Sequence, residues 1–231
     1  MLTKDDVLQK SLEWENREAE YIVEQATRLY GKKLVLACSF SVEDIVLIDL
    51  LCQVTSPVMA FFLDTDFHFP QTLETKNKIL TRYPQLYLES VKPKLTVEEQ
   101  NSLYGVNLFE SNPNQCCQIR KVEPLNRILS SYQAWITGMR REQASTRANI
   151  DVVQWDTRRE MVKFNPLAGW THKQVWAYIV KHQLPYNPLH DQGYPSIGCS
   201  PISCTAPVAK GADLRAGRWA GKGKTECGLH T

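Results

Sequence analysis

Residues 33–51 read KLVLACSFSVEDIVLIDLL, and a change of period inside this stretch decides the fold class. Lys33 to Cys38 form a continuous apolar run of strand length with no polar alternation, the pattern of a strand buried on both faces. From Ser41 to Leu51 the apolar residues fall instead at helical spacing. A strand that runs into a helix through a short polar loop is the opening of a β–α–β unit. The pattern recurs: Val58 to Leu63 reads as a second buried strand, Gln71 to Tyr83 as a helix and Leu86 to Val91 as a further strand. Trp135 to Gly138 and Val162 to Phe164 are additional strand candidates. The expectation is an α/β fold, a parallel twisted sheet with flanking helices.

Outward from this core, Val7, Leu8, Leu12, Tyr21, Ile22 and Ala26 predict one amphipathic helix from about Asp5 to Tyr30. Thr3 is its N-cap, and Gly31 stops it. Beyond Pro185, glycines and prolines break any long element. The chain thus reads as one unit over 1–231, with an N-terminal helix (1–30), an α/β core (31–185) and an irregular C-terminal segment (186–231). A formal charge of +2 is too small to argue for nucleic acid or an acidic membrane as partner. The sequence opens directly into a charged amphipathic pattern, which predicts no secretory leader, and no apolar run reaches the ~20 residues of a membrane span. Seven cysteines in such a chain predict a reducing, cytoplasmic setting, where thiol chemistry or metal ligation outranks a disulfide framework.

Ligands of open α/β sheets sit beyond the carboxyl ends of strands. The loop Ser39-Phe40-Ser41-Val42-Glu43-Asp44 offers hydroxyls, backbone N–H groups and a helix N-terminus to a phosphate or sulfate. Its bland alternative is N-capping by Ser41, with Asp44 at N3 completing a capping-box-like pair. It lacks the glycines and lysine of a Walker loop. Leu63-Asp64-Thr65-Asp66, closing the second strand, places carboxylates where a ribose hydroxyl or an adenine amino group would lie. Cys116 and Cys117, with Cys199 and Cys204, could ligate a [4Fe–4S] cube or a zinc ion. Adjacent thiolates reach two irons of a cube more readily than one zinc tetrahedron. Cys227, near Lys224 and His230, has the cationic neighbours that favour a reactive thiolate; otherwise it is an idle thiol on a tail.

In order, SFSVED (39–44), LDTDFHFP (63–70), CCQIRKVEPL (116–125), TGMRREQASTR (137–147), NPLAGWT (165–171), YNPLHDQGYPSIGC (186–199), LRAGRW (214–219) and ECGLH (226–230) make this chain resemble the assimilatory adenylylsulfate and phosphoadenylylsulfate reductases. The resemblance implies a PP-loop, adenine nucleotide alpha hydrolase-like fold with an irregular catalytic tail. It implies that Cys227 attacks the sulfate sulfur of adenylylsulfate, that an S-sulfocysteine forms, and that thioredoxin releases sulfite, leaving AMP as the other product. Lys121, Arg215, Arg218 and His230 are carried over as catalytic residues beside Cys227. Ser39, Phe40, Ser41, Glu43, Asp44, Leu63, Asp64, Thr65, Arg140 and Arg141 are carried over as substrate-binding, whereas Arg147 and His68 rank lower. The tandem cysteines with a second pair imply one [4Fe–4S] cluster per chain, on Cys116, Cys117, Cys199 and Cys204, and a preference for adenylylsulfate over its 3′-phosphorylated form. One departure stands out: four residues, Ser200 to Ser203, separate Cys199 from Cys204 where the family has two. A homo-oligomer is compatible with the reading, and neither nucleic acid nor membrane is an expected partner. The rival readings are an ATP-dependent PP-loop sulfurtransferase and a non-enzymatic iron–sulfur or zinc redox sensor.

Overall fold

The computed structural model describes residues 2–209, 211, 213–224 and 226–230; Met1, Lys210, Ala212, Thr225 and Thr231 lie outside the described residues. Six strands form one sheet: β1 (Leu34–Ala37), β2 (Val58–Leu63), β3 (Leu86–Val91), β4 (Ala134–Ile136), β5 (Val153–Asp156) and β6 (Met161–Phe164). Their order is β3-β2-β1-β4-β6-β5, and every pairing is parallel except β5 with β6. The chain winds one way from β1 to β3 and the other way from β4, so the sheet reverses between β1 and β4. A reversal of this kind opens a crevice outside the strands' carboxyl ends.

Both faces of the sheet are apolar, as unalternated strands require. Leu34, Leu36, Ala60 and Phe62 pack with the helices α2 (Ala19–Tyr30) and α3 (Val42–Val54). Residues Val42 to Leu51 of α3 are all buried, so this helix is an interior one, and Ile79 of α4 (Pro70–Arg82) joins the same layer. Val35, Phe61 and Trp135 face the other way, onto Leu125, Ile128 and Leu129 of α8 (Glu123–Leu129) and Leu229 of the tail. Between α4 and α8 run α5 (Val97–Tyr104), α6 (Leu108–Ser111) and α7 (Pro113–Cys117); α9 (His172–Lys181) packs on α3.

Two expectations need correction. The N-terminal segment is two helices, α1 (Lys4–Trp14) and α2, rather than one. Thr3 caps α1 through a capping box with Asp6, as the first turn predicts, but α1 lies along β5 whereas α2 lies along α3. One straight rod of that length, about 40 Å, could not cover both. The turn between them lets Trp14 stack on Phe164 at 6.4 Å and meet Tyr21 edge-on at 5.9 Å. Strand β5 was also missing from the sequence reading. It is an antiparallel edge strand of four residues, too short for its period to stand out.

Candidate active site

The crevice is a cavity of about 210 Å³, lined by the loops after β1, β2 and β4 and closed by the C-terminal segment. In the first loop Ser39, Ser41, Glu43 and Asp44 line it, whereas Phe40 does not. Phe40 takes a left-handed backbone (φ 59°) that turns its ring into the core against Phe62, 5.4 Å away. Ser41 accepts from the Asp44 N–H as N-cap, but the Asp44 carboxylate turns back to accept from the N–H and Oγ of Ser39 at 2.6 and 2.7 Å. The second half of the capping box is therefore spent on shaping the loop. Burial pushes the Asp44 carboxyl up to about 6, against the pull of the Ser39 bonds.

Glu43 and Arg140, 6 % and 1 % exposed, form an ion pair at 2.9 Å beneath the floor, and Gln143 also donates to Glu43. Burial alone would raise the Glu43 carboxyl; Arg140 and these hydrogen bonds outweigh it and hold it below its ordinary value. The pair ties the β1 loop to the β4 loop, and Arg140 also lines the cavity and bonds Glu142 and the Trp170 carbonyl. Arg141 points elsewhere. Its guanidinium grips Glu15 beyond α1 and the Ile150 carbonyl, outside the cavity lining. After β2, Leu63 and Thr65 line the cavity, whereas the Asp64 carboxylate faces Lys92 at 3.8 Å. His68, ranked low on sequence, lines the cavity with Nε2 3.1 Å from the Leu63 carbonyl.

Lys121, Arg215, Arg218, Cys227 and His230 all reach this one cavity from two distant parts of the chain. Burial would lower the Lys121 ammonium, but Cys199, Cys117 and Cys227 hold it above its ordinary value. Arg218 donates to the Cys204 carbonyl at 3.1 Å and lies over Trp219. His230 stacks on Trp135 at 5.6 Å; burial, then Lys163, Arg147, Arg159 and Arg215, push it well below the usual histidine range. Its Nδ1 is buried without a hydrogen-bond partner among the described residues. Two residues that the sequence underrated support this region. Arg147, 6 % exposed, lines the cavity and forks onto Glu226, the residue before Cys227. Trp219, 2 % exposed, packs with Cys117, Cys199, Cys204 and Cys227. Neither has a signal in isolation, because both act by contact across long chain separations.

Cys116, Cys117, Cys199 and Cys204 together line a second, smaller cavity with Lys121, Arg120 and Trp219. The tandem cysteines close α7, and a π turn at Gln118–Val122 joins α7 to α8 and carries Arg120 and Lys121. Such turns gather at functional sites because they re-aim side chains within a helix. Cys199 is bridged by its backbone to His68, and its thiol lies 3.5 Å from the Thr65 hydroxyl. Burial would raise that thiol; Lys121, Thr65 and Arg218 outweigh it. Among the described residues no three His, Cys, Asp or Glu side chains are set for one metal ion. Four buried thiols around a shared cavity are nevertheless the donor set of an iron–sulfur cube. Arg120, a buried cation on the same wall, has an unpartnered Nη2, which suits an anionic group there. The two additional residues between Cys199 and Cys204 do not keep Cys204 out: Ile202 bulges into solvent, 76 % exposed, while Cys204 turns in.

The tail is pinned beside this centre. The Ala206 N–H donates to Gly217 O at 2.9 Å, Thr205 bridges to Arg218, and the Trp219 N–H donates to Cys204 O at 3.4 Å. A Cβ on Gly217 would run into the Ala206 carbonyl, so only glycine admits this pairing.

Residues 33–207 match a family model described as the phosphoadenosine phosphosulfate reductase domain. The chain is 63% identical over 218 residues to a phosphoadenosine 5′-phosphosulfate reductase of Gloeobacter violaceus, covering 94% of this chain and 90% of that one. It is 52% identical over 215 residues to an adenosine 5′-phosphosulfate reductase of Shouchella clausii, covering 93% and 88%. Among solved structures, a phosphoadenylyl-sulfate reductase of Candida auris superposes with a TM-score of 0.76 at 30% identity, covering 86% and 96%. An FMN adenylyltransferase of Candida glabrata shares the fold alone, with a TM-score of 0.58 at 14% identity over 92% and 71%.

Proposed function

The chain belongs to the phosphoadenosine phosphosulfate reductase family, and on that footing we propose that it reduces adenylylsulfate to sulfite and AMP through Cys227, with thioredoxin as electron donor. It is an oxidoreductase acting on the sulfur of a sulfated adenine nucleotide. The observation that carries the residue assignment is that Cys227 lines one cavity together with Lys121, Arg215 and Arg218 and with residues of the β1 and β4 loops.

Adenine and ribose enter the switch-point crevice, where Ser39, Ser41, Leu63, Thr65 and the Glu43–Arg140 pair shape the walls. The phosphosulfate extends toward the cations. The Cys227 thiolate attacks sulfur, the bond between sulfur and the bridging oxygen breaks, and AMP leaves with the electron pair. Cys227 then carries the sulfonate. A thioredoxin thiolate attacks the Cys227 sulfur, sulfite leaves with the electron pair of the S–S bond, and a second thioredoxin thiol resolves the mixed disulfide. Lys121, Arg215 and Arg218 offset charge on the transferring group, and the unpartnered Nδ1 of His230 is available for a hydrogen bond to it. Cys116, Cys117, Cys199 and Cys204 would hold one [4Fe–4S] cluster, which when bound contributes electrostatics beside Lys121. In this reading the whole chain acts as one reductase unit in the cytoplasm. Among the described residues no helix is long and apolar enough to cross a membrane.

Cys227→Ser is expected to abolish both sulfite release and the adduct seen by mass spectrometry, with iron content unchanged. Sulfite formation at the parent rate would sink the assignment. A second reading, use of the 3′-phosphorylated nucleotide, is favoured by the name of the Gloeobacter relative. Sulfite assays on both nucleotides decide between them.

A further inference from the structure

We infer that Glu226 is the positioning residue that seats Cys227 in the cavity, by clamping the tail between Arg147 and Arg215. The inference rests on Cys227 being the nucleophile. Glu226 uses both carboxylate oxygens: Oε1 accepts from Arg147 Nε at 2.8 Å and Thr146 Oγ1 at 3.2 Å, and Oε2 accepts from Arg147 Nη2 at 2.7 Å and Arg215 Nη2 at 3.3 Å. The fork from Arg147 is bidentate, the arrangement that fixes direction as well as distance. It is also shielded, with the Arg147 and Glu226 side chains only 8 % and 13 % exposed.

Glycines flank the clamp on both sides. Gly221, Gly223 and Gly228 all have positive φ, at 75°, 63° and 83°, where glycine contributes least rigidity. Cys227 follows Glu226 directly, so the clamp is the nearest directional constraint on its sulfur. Leu229 and His230, packed on the Trp135 layer, fix the far side of Gly228. Arg147 and Arg215 both line the cavity, and the Glu226 carboxylate paired with both offsets their mutual repulsion. Glu226 thus orders the nucleophile and part of the cationic wall without touching substrate.

The test uses the full-length, iron-loaded protein. Iodoacetamide labelling of Cys227, read at the peptide level, reports seating without substrate; single-turnover adduct formation reports function. Glu226→Gln is expected to raise the Cys227 alkylation rate at least about tenfold and to lower the adduct-forming rate by about tenfold or more. KM for the nucleotide should change less than the adduct-forming rate, because Lys121 and Arg218, which Glu226 does not hold, still line the cavity. Glu226→Asp should recover part of the loss, and the double exchange Arg147→Glu with Glu226→Arg should alkylate more slowly than either single variant. An alkylation rate for Glu226→Gln equal to the parent's, or a purely KM-based loss, overturns the inference. Failure of the underlying reading shows differently: sulfite would still form in Cys227→Ser.

Discussion

Lys163 is 4 % exposed, with its ammonium 3.1 Å from the Met139 sulfur and over the Trp135 ring rather than on a carboxylate. Burial pushes it down to about 8. Between about 8 and its ordinary 10.5 the folded protein binds fewer protons than the unfolded one, so stability should rise with pH across that window. Lys163→Met should remove the rise and stabilise the protein at pH 7 by about 1–3 kcal/mol. Urea melts at pH 7 and 9.5 check both; an unchanged pH slope refutes the argument. Asp44 runs the opposite way. Its carboxyl, at about 6 instead of 3.8, keeps a proton that the unfolded chain gives up, so stability falls as pH rises through that interval. Asp44→Asn should flatten the fall, which thermal melts from pH 4 to 7 would show. At this scale the sequence told residue types but not aim. Phe40, Asp64 and Arg141 belong to the right motifs, yet their side chains face the core, Lys92 and Glu15, because a motif does not specify local φ or a distant partner.

The β1–loop–α3 stretch was legible because its period change is intrinsic to residues 33–51, and the structure follows it within three residues. The split between α1 and α2 was not, since one helical period runs through both and only the β5 and α3 surfaces divide it. The π turn at Gln118–Val122 likewise leaves no period of its own. The tail shows the same limit: its glycines read as breakers, whereas Gly217 is a contact point. Gly217→Ala, blocked by the Ala206 carbonyl, should cut activity by about tenfold or more while leaving the melting of the sheet core nearly unchanged. A sulfite assay beside near-UV circular dichroism separates these effects. Parent activity would show that the 204–206 and 217–219 segments need not pair.

As a whole molecule, the sheet contributes a crevice and the irregular C-terminal segment closes it with Arg215, Arg218, Cys227 and His230. Anaerobically purified protein should contain about four irons and four sulfides per chain, as one cube on four thiols requires. Cys116→Ser should lose them, and iron-free parent protein at full activity would remove the cluster from the function. The pairing of segment 204–206 with 217–219 has a further consequence. Cys204 sits in the first strip and Arg218 in the second, hydrogen-bonded to each other through the Cys204 carbonyl. The strip that would grip iron is therefore the strut on which the reactive arm rests. If Cys204 holds a cluster as proposed, loss of that cluster should loosen the 217–219 strip as well, and trypsin should then cut the C-terminal segment sooner.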